Sequence, residues 1–226
     1  MNDNVRNYIS NFQQSVYDRI TLDINEKTID EIVKFDLVKS HLDDTDSANF
    51  QNYYFLILDN EKLYYSSTDF FRQFKKMYSL QGVDNNNLDD LERHKKEILE
   101  NIRSEKLAQL YFETFNKVKI KHGKGFKEKD LGSFFAKLVH TFRPNEYCAL
   151  DNPIKNYFGL KKESFFISFF IISFVYKHWA TDNNKLLKTI RKELQLADKK
   201  DILQHNKLTD MKLLDLIFWS KANRKQ

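Results

Sequence analysis

The chain of 226 residues contains one cysteine, two prolines and five glycines. Cys148 alone cannot form a disulfide within the chain, and it cannot supply the four thiolates of an iron–sulfur cluster. A disulfide-stabilised secreted domain is therefore excluded, and a reducing compartment fits the composition. So few glycines and prolines over this length favour helices over a turn-rich β protein.

Long hydrophobic runs are also absent. The most apolar stretch, residues 165–175, is shorter than the about 20 residues that a membrane-spanning helix needs. It is typical of a helix that is buried on all sides. Residues 1–10 lack the apolar core of a signal peptide. We therefore expect a cytoplasmic protein with no membrane partner, and we expect a monomer.

The chain is rich in aromatic residues and in positive charge. Hydrophobic residues make up 41% of it, with 20 phenylalanines and 11 tyrosines, which is enough to build a core. The formal net charge is +5 and the isoelectric point is about 9.0. This balance suits an anionic partner, and we expect that partner to be DNA.

Apolar residues recur at the spacing of amphipathic helices along most of the chain. We predict a mainly α fold in two parts: a mostly helical N-terminal lobe over residues 1–86 and a helical domain over residues 87–226. The polar loop 81–87 marks the predicted boundary. Long helices are predicted after it, over residues 88–102 and 106–120.

One segment of the lobe allows two interpretations. Residues 53–58 are rich in aromatic and branched side chains, and residues 59–61 have the composition of a turn. They predict either a small β-hairpin with residues 62–65 or a continuous helix. Both interpretations stay open at this point.

The strongest candidate for a chemical role is Asp151. It follows an extended segment and comes just before a predicted helix, with Asn152 as the expected cap and Pro153 in the first turn. The dipole of that helix stabilises an anion at this point. One helix upstream, Lys137 and His140 lie three residues apart on one helical face.

A basic turn with two glycines precedes that helix. Glycine lets the backbone approach a phosphate, and a helix that follows points its free N–H groups at the anion. Several lysines around the turn could neutralise phosphates. The predicted DNA-binding residues are Lys121, Gly123, Lys124, Gly125, Lys127 and Lys129.

A carboxylate beside a phosphate-binding element suits the cleavage of an N-glycosidic bond. Positive charge builds on the sugar in this reaction, and a carboxylate stabilises it and orients an attacking water or amine. The target base must first leave the stack and enter a pocket. The predicted pocket residues are His140, Phe142, Tyr147 and Tyr157.

Residues 132–144, with the sequence G-S-F-F-A-K-L-V-H-T-F-R-P, lead into Asp151 and then into Ile154 and Phe158-Gly159. This order resembles the helix-hairpin-helix DNA glycosylase superfamily. It is most similar to divergent bacterial members, which pair a K-L-x-H-F-x-P helix with an I-x-D-x-x-V segment. Residues 213–219 resemble their closing helix, so the resemblance covers residues 117–219.

The resemblance implies a helix-hairpin-helix glycosylase-like bundle with its catalytic aspartate at Asp151. It leaves the partner lysine open among Lys127, Lys129 and Lys137, because the G-x-G-x-K letters at residues 123–127 lie further from Asp151 than is usual. Lys137 is the leading candidate. A monofunctional enzyme that uses water is an equal alternative.

Each of these residues also has a structural interpretation. Asp151 could simply cap its helix, Lys137 could be solvated, and His140 could be a hydrogen-bonded core residue. Trp179 and Trp219 are expected in the core, and Asp215 is expected to pair with a neighbouring helix.

Motifs for other chemistries are missing from the sequence. The histidines are scattered, and there is no H-E-x-x-H motif, no phosphate-binding loop and no G-x-S-x-G elbow. We therefore expect no metal and no cofactor.

The leading function is excision of a damaged or modified base from DNA, in repair or in defence against phage with modified DNA. The alternatives are a non-catalytic DNA-binding module on the same fold and a toxin or nuclease of a defence system.

Overall fold

A computed structural model describes residues 3–80, 83–122 and 125–224. In its N-terminal half the elements are α1 Asp3–Asp23, α2 Ile29–Glu31, a π-helix Ile32–Leu42, α3 Thr45–Asp59, α4 Lys62–Ser66, α5 Phe70–Met77, α6 Asn85–Arg93, α7 Lys95–Arg103, α8 Leu107–Leu110 and a second π-helix Tyr111–Phe115. Then follow β1 Val118–His122, β2 Gly125–Lys129, α9 Gly132–Phe142, α10 Asn152–Tyr157, α11 Phe165–Asp182, α12 Asn184–Ala197 and α13 Asp210–Asn223. The prediction of a mainly helical protein is confirmed.

The β-hairpin predicted within residues 53–65 is wrong, because this segment is helical. Asp44 caps α3 by accepting the backbone N–H of Ser47 at 2.8 Å. The buried side chains Gln51, Tyr54 and Phe55 follow the spacing of one helix face. The helix stops at Asn60, whose backbone (φ −140°, ψ 75°) is not helical, so one continuous helix over residues 53–65 is also wrong.

The two strands of the described residues lie further along the chain. The helix predicted over residues 106–120 ends at Phe115, and Lys117 has a positive φ of 51° before β1 begins. β1 pairs with β2 in antiparallel register, with Val118 opposite Lys129 and Ile120 opposite Lys127. The basic glycine turn therefore joins two strands and not two helices.

The apolar helix α11 is buried on most of its surface but not on all sides. Ile167 and Phe174 are 42% and 49% exposed, so the prediction of complete burial is wrong. Trp179 is fully buried, as predicted, and its Nε1 donates a hydrogen bond to Oγ1 of Thr21 on α1. α11 packs between α1 and α13.

Gly132 sets how closely α9 approaches α11. A Cβ atom on Gly132 would lie 2.4 Å from Cγ of Phe165, which is closer than carbon atoms can pack. The absence of a side chain therefore lets the start of α9 rest against the start of α11. Because Lys137 lies on α9, this packing also fixes the position of Lys137.

Helices from both sides of the predicted boundary at residues 86 and 87 share one hydrophobic core. α1 packs on α11, the π-helix Ile32–Leu42 packs on α12 and α13, and α3 packs on α9. The division into two domains stays a prediction. Of the helices in the described ranges, none has the length and apolar character needed to cross a membrane.

Candidate active site

Asp151 uses its two carboxylate oxygens differently. Its backbone is extended, and its Oδ1 accepts the backbone N–H of Ile154 at 3.1 Å, which makes Asp151 the cap of α10. The prediction of Asn152 as the cap is wrong, because Asn152 is the first residue of the helix. The second oxygen, Oδ2, lies 3.7 Å from Nζ of Lys137. The carboxylate is thus fixed by the helix on one side and faces an ammonium group on the other.

Lys137 reaches Asp151 from the middle of α9. The Thr141 hydroxyl donates to the carbonyl of Lys137 at 2.8 Å, and the Tyr78 hydroxyl donates to Thr141 at 3.0 Å. The Nζ atom lies 5.6 Å from the centre of the Tyr78 ring. Burial lowers the pKa of Lys137, while the carboxylate of Asp151 partly opposes that shift.

Asp151 and Lys137 both border a cavity of about 500 Å³. This volume lies within the range of small-molecule sites. The cavity walls come from the π-helix Ile32–Leu42, α3, the end of α5, α9, the segment around Asp151 and α13. Three aromatic side chains line it, namely Phe50, Tyr78 and Trp219. Trp219 is 39% exposed, so its predicted core position is wrong.

A second lysine and a second buried aspartate line the same cavity. Lys212 and Asp215 stand three residues apart on α13 and are 4% and 5% exposed. Nζ of Lys212 lies 4.2 Å from the centre of the Tyr54 ring and 5.0 Å from that of Phe50. Burial raises the pKa of Asp215 and lowers the pKa of Lys212.

Asp215 was expected to pair with a neighbouring helix. Its Oδ2 lies 3.7 Å from Nδ1 of His140 on the neighbouring helix α9. The same oxygen accepts the backbone N–H of Ala149 at 2.6 Å, in the extended segment that leads to Asp151. Asp215 on α13 thereby holds in place the segment that carries Asp151, the candidate catalytic carboxylate.

His140 lies behind the cavity and is fully buried. Burial lowers the pKa of His140 to about 3, so the ring is neutral near pH 7. Nδ1 donates to the Tyr147 carbonyl at 2.7 Å, and Nε2 accepts from the Tyr54 hydroxyl at 3.0 Å. Both ring nitrogens are therefore occupied by the core, and His140 is not among the residues that line the cavity.

The other predicted pocket residues are also placed away from the cavity lining. The Phe142 ring packs 5.0 Å from that of Tyr64, and the Tyr147 ring stacks 5.4 Å from that of Phe169. The Tyr157 hydroxyl donates to Asp23 at 2.8 Å. The aromatic wall of the cavity is formed by different residues from those predicted.

The predicted DNA-binding residues lie on the β1–β2 hairpin. Gly123 and Lys124 lie outside the described residues, as does the side chain of Lys121. In β2, Gly125 and Lys127 are exposed and Lys129 is half-buried. Of the three lysines considered as partners of Asp151, Lys137 is the one that borders the cavity in the described structure; Lys127 and Lys129 do not.

Several polar cavity residues were not predicted as site residues, among them Gln51, Lys212 and Asp215. A signal for two of them exists in the sequence, since Lys212 and Asp215 are charged residues inside the apolar run of residues 211–218. Charged side chains are rarely buried without a partner or a role. Gln51 gives no such signal, because its position is defined by packing between distant helices.

One cluster of side chains away from the cavity contains residue types that can bind a metal ion. Ligand atoms of Asp198, Asp201 and His205 lie within 4.8 Å of one another. The Asp198 carboxylate already accepts the backbone N–H groups of Ile202 and Leu203 at 3.0 and 2.9 Å. These hydrogen bonds hold the loop between α12 and α13, which gives the cluster a structural explanation.

Comparisons of the chain with protein-family models, with curated proteins and with solved structures return no match.

Proposed function

We propose that this protein is a DNA glycosylase that excises a damaged or modified base by cleaving its N-glycosidic bond. The observation that carries the proposal is the position of Asp151, whose Oδ2 lies 3.7 Å from Nζ of Lys137 at the wall of a cavity of about 500 Å³. The biological setting that we propose is DNA repair or defence against phage with modified DNA.

In the proposed mechanism the base leaves C1′ with the electron pair of the broken bond, and positive charge develops on the sugar. The carboxylate of Asp151 stabilises that charge, since α10 holds it at the cavity wall with little freedom to move away. The extruded base stacks against the aromatic rings that line the cavity.

Lys137 supplies the second half of the reaction. An amine attacks C1′ only when it is neutral, and the burial that lowers the pKa of Lys137 increases the neutral fraction. Nζ forms a bond to C1′ as the base departs, and the C1′–O4′ bond then breaks. The amine loses one proton, O4′ gains one, and a protonated imine links Nζ to C1′. In the alternative route, water attacks C1′ and Lys137 acts through its charge.

For DNA contact we propose the β1–β2 hairpin. Lys119 and Lys127 are exposed on it, and Phe126 near the start of β2 is 74% exposed. Basic side chains with an exposed aromatic ring suit a nucleic-acid surface. In the proposed relation to the helix-hairpin-helix glycosylases, this strand hairpin takes the place of the hairpin that joins two helices.

The test is incubation of the protein with duplexes that carry different modified bases, and with modified phage DNA, followed by alkali cleavage. We expect abasic sites with the wild type. Asp151→Asn should keep DNA binding and lose base release, because asparagine caps a helix as well as aspartate does but carries no charge. Asp30→Asn, at an exposed salt bridge on α2, is the matched control and should keep base release.

Two outcomes would replace the proposal by its rivals. Salt-dependent DNA binding without base release across the whole panel, unchanged in Asp151→Asn, would indicate a non-catalytic DNA-binding module. Strand breaks that appear without alkali would indicate a nuclease.

A further inference from the structure

One ammonium group of the cavity has no counter-ion. Lys212 is 4% exposed and lines the cavity, and in the described part of the chain its Nζ forms no hydrogen bond and no ion pair. Lys137, which also lines the cavity, lies 3.7 Å from the carboxylate of Asp151. A buried charge without a partner destabilises the folded state. An anion bound in the cavity would give Lys212 the partner that Lys137 already has.

Two aromatic rings flank the ammonium group of Lys212 but do not replace an anion. Its Nζ lies 4.2 Å from the centre of the Tyr54 ring and 5.0 Å from that of the Phe50 ring. Aromatic faces attract a cation, but they leave the three N–H donors of the ammonium group without ordinary acceptors. Asp215 attracts Lys212 from a distance, and burial raises the pKa of Asp215, which reduces its negative charge near neutral pH.

The shape of the cavity indicates which kind of anion fits. Its aromatic wall consists of Phe50, Tyr78 and Trp219, and such rings pack best against another flat ring. Because Nζ of Lys212 lies 5.0 Å from the centre of the Phe50 ring, a flat ring that contacts Phe50 also lies near the ammonium group. A tetrahedral phosphate could pair with Lys212 but would gain nothing from the aromatic wall. The cavity therefore suits a flat ring that carries negative charge.

We infer that Lys212 binds a planar anion in this cavity and, in the proposed reaction, neutralises the departing base. This inference rests on the proposed function, since it assigns a further catalytic residue to the same cavity. Asp151 and Lys137 act on the sugar, whereas Lys212 acts on the base.

The proton transfer completes the cleavage of the bond. When the bond between C1′ and the base nitrogen breaks, the base keeps the electron pair and becomes an anion. Nζ of Lys212 donates one proton to that anion, so the base leaves as a neutral molecule, and the amine then regains a proton from water. Burial lowers the pKa of Lys212, which makes it a stronger acid than an exposed lysine.

The anion site is tested by calorimetric titration of the protein with 5-nitrouracil, thymine and inorganic phosphate near neutral pH. The ring of 5-nitrouracil loses a proton under these conditions and resembles a departing base, whereas thymine is a neutral ring of similar size. We expect 5-nitrouracil to bind at least about tenfold more tightly than thymine, because its bond to Lys212 joins two charged groups. Phosphate should bind more weakly than 5-nitrouracil.

Substitutions assign the preference to Lys212. Lys212→Met keeps the length of the side chain, and replacing a buried charge by an apolar group of similar volume is often neutral for stability. It should abolish the preference for 5-nitrouracil and leave thymine binding unchanged, and the uncharged variant Lys212→Gln should behave alike. Lys188→Met, at an exposed position on α12, is the matched control and should keep the preference.

Several results of these titrations would overturn the inference. They are equal binding of 5-nitrouracil and thymine, a preference that survives Lys212→Met, equal loss of both rings in that variant, tighter binding of phosphate than of 5-nitrouracil, and absence of binding by either ring.

Rates of base release test the role of Lys212 in the reaction. A neutral base such as uracil leaves as an anion, whereas 7-methylguanine carries a positive charge in the duplex and leaves as a neutral molecule. Among the duplexes that the wild type cleaves, Lys212→Met should slow release of neutral bases by about 100-fold and leave release of cationic bases near the wild-type rate. A wild-type rate of Lys212→Met on a neutral base would reject this role.

The two kinds of measurement separate the inference from the proposed function, because binding of a free ring requires no bond cleavage. Preference for 5-nitrouracil in a protein that releases no base from any duplex would retain the anion site and reject both the glycosylase and the role of Lys212 in it. Base release by a protein that binds 5-nitrouracil no better than thymine would retain the glycosylase and reject the anion site.

Discussion

The Oδ2 atom of Asp151 lies 3.7 Å from Nζ of Lys137, while Oδ1 of the same carboxylate caps α10 through the N–H of Ile154. One side chain therefore has a structural role and an electrostatic role. The cap that the sequence allowed is confirmed, and the catalytic role of Asp151 stays a prediction. The two roles need different properties of the side chain: a hydrogen-bond acceptor for the cap and a negative charge beside Lys137.

The two roles separate in the stability of Asp151 variants. Asp151→Asn and Asp151→Ala both remove the charge beside Lys137, but alanine also removes the cap. We expect Asp151→Ala to be about 1 kcal/mol less stable than Asp151→Asn in urea unfolding. Equal stability of the two variants would show that the bond to Ile154 contributes nothing to α10.

The chemical role of Lys137 is tested by borohydride trapping. If its amine attacks C1′, reduction of the imine gives a stable protein–DNA adduct, and Lys137→Gln should abolish it. Lys188→Gln, at an exposed position on α12, is the control and should keep the adduct. Base release by Lys137→Gln without any adduct would instead assign the attack to water.

Much of this site follows from local sequence patterns. The helical spacing of residues 132–142 predicts α9, and Pro153 with Gly159 predicts the limits of α10, where Gly159 has a φ of +75°. These two helices place the side chains of Lys137 and Asp151 close together in space. A local pattern suffices here because only the end of α9 and one short connection separate the two residues.

The rest of the cavity could not be predicted, because its walls come from distant parts of the chain. Tyr147 and Tyr157 are near Asp151 in sequence, whereas Phe50 and Tyr78 reach the cavity through the packing of α3 and α5. The prediction for residues 53–65 failed for a related reason. Aromatic and branched side chains suit a strand or a buried helix equally, and burial against other helices decides between them.

The start of α9 provides a packing prediction. Gly132→Ala would place a methyl group 2.4 Å from Cγ of Phe165, so the two helix starts must move apart. We expect a loss of about 1–3 kcal/mol in unfolding free energy. Gly125→Ala is the matched control, since nothing lies within 4 Å of its added Cβ, and it should change stability little. A wild-type stability for Gly132→Ala would mean that Phe165 can turn aside at no cost.

The hairpin lysines provide a prediction for DNA binding. Removing one lysine that neutralises a phosphate should reduce the slope of log affinity against log salt by about 0.9. Lys127→Ala should therefore lower the slope by that amount and weaken binding to all DNA sequences. Lys188→Ala, at an exposed position on α12, is the charge-matched control. If both substitutions have the same small effect, the hairpin is not the DNA-binding surface.

The buried His140 predicts how stability depends on pH. The pKa of His140 is lowered by burial from 6.5 to about 3, so between these values the unfolded chain takes up a proton that the folded protein excludes. Stability therefore falls as the pH drops below about 6.5, by about 1.4 kcal/mol per pH unit from this group. Groups that do not contact His140 act alike in the wild type and in His140→Gln, so their contributions cancel in the difference between the two proteins. We expect the wild type to be the more stable protein at pH 7.5, because His140 forms hydrogen bonds with the Tyr54 hydroxyl and the Tyr147 carbonyl.

Urea unfolding from pH 7.5 to 5 should show this advantage in unfolding free energy shrinking by about 1.4 kcal/mol per pH unit below pH 6.5. His178→Gln is the control for loss of an exposed imidazole. An advantage that stays constant over this range would mean that the folded protein admits a proton to His140, and that the hydrogen bonds to Tyr54 and Tyr147 rearrange around a charged ring.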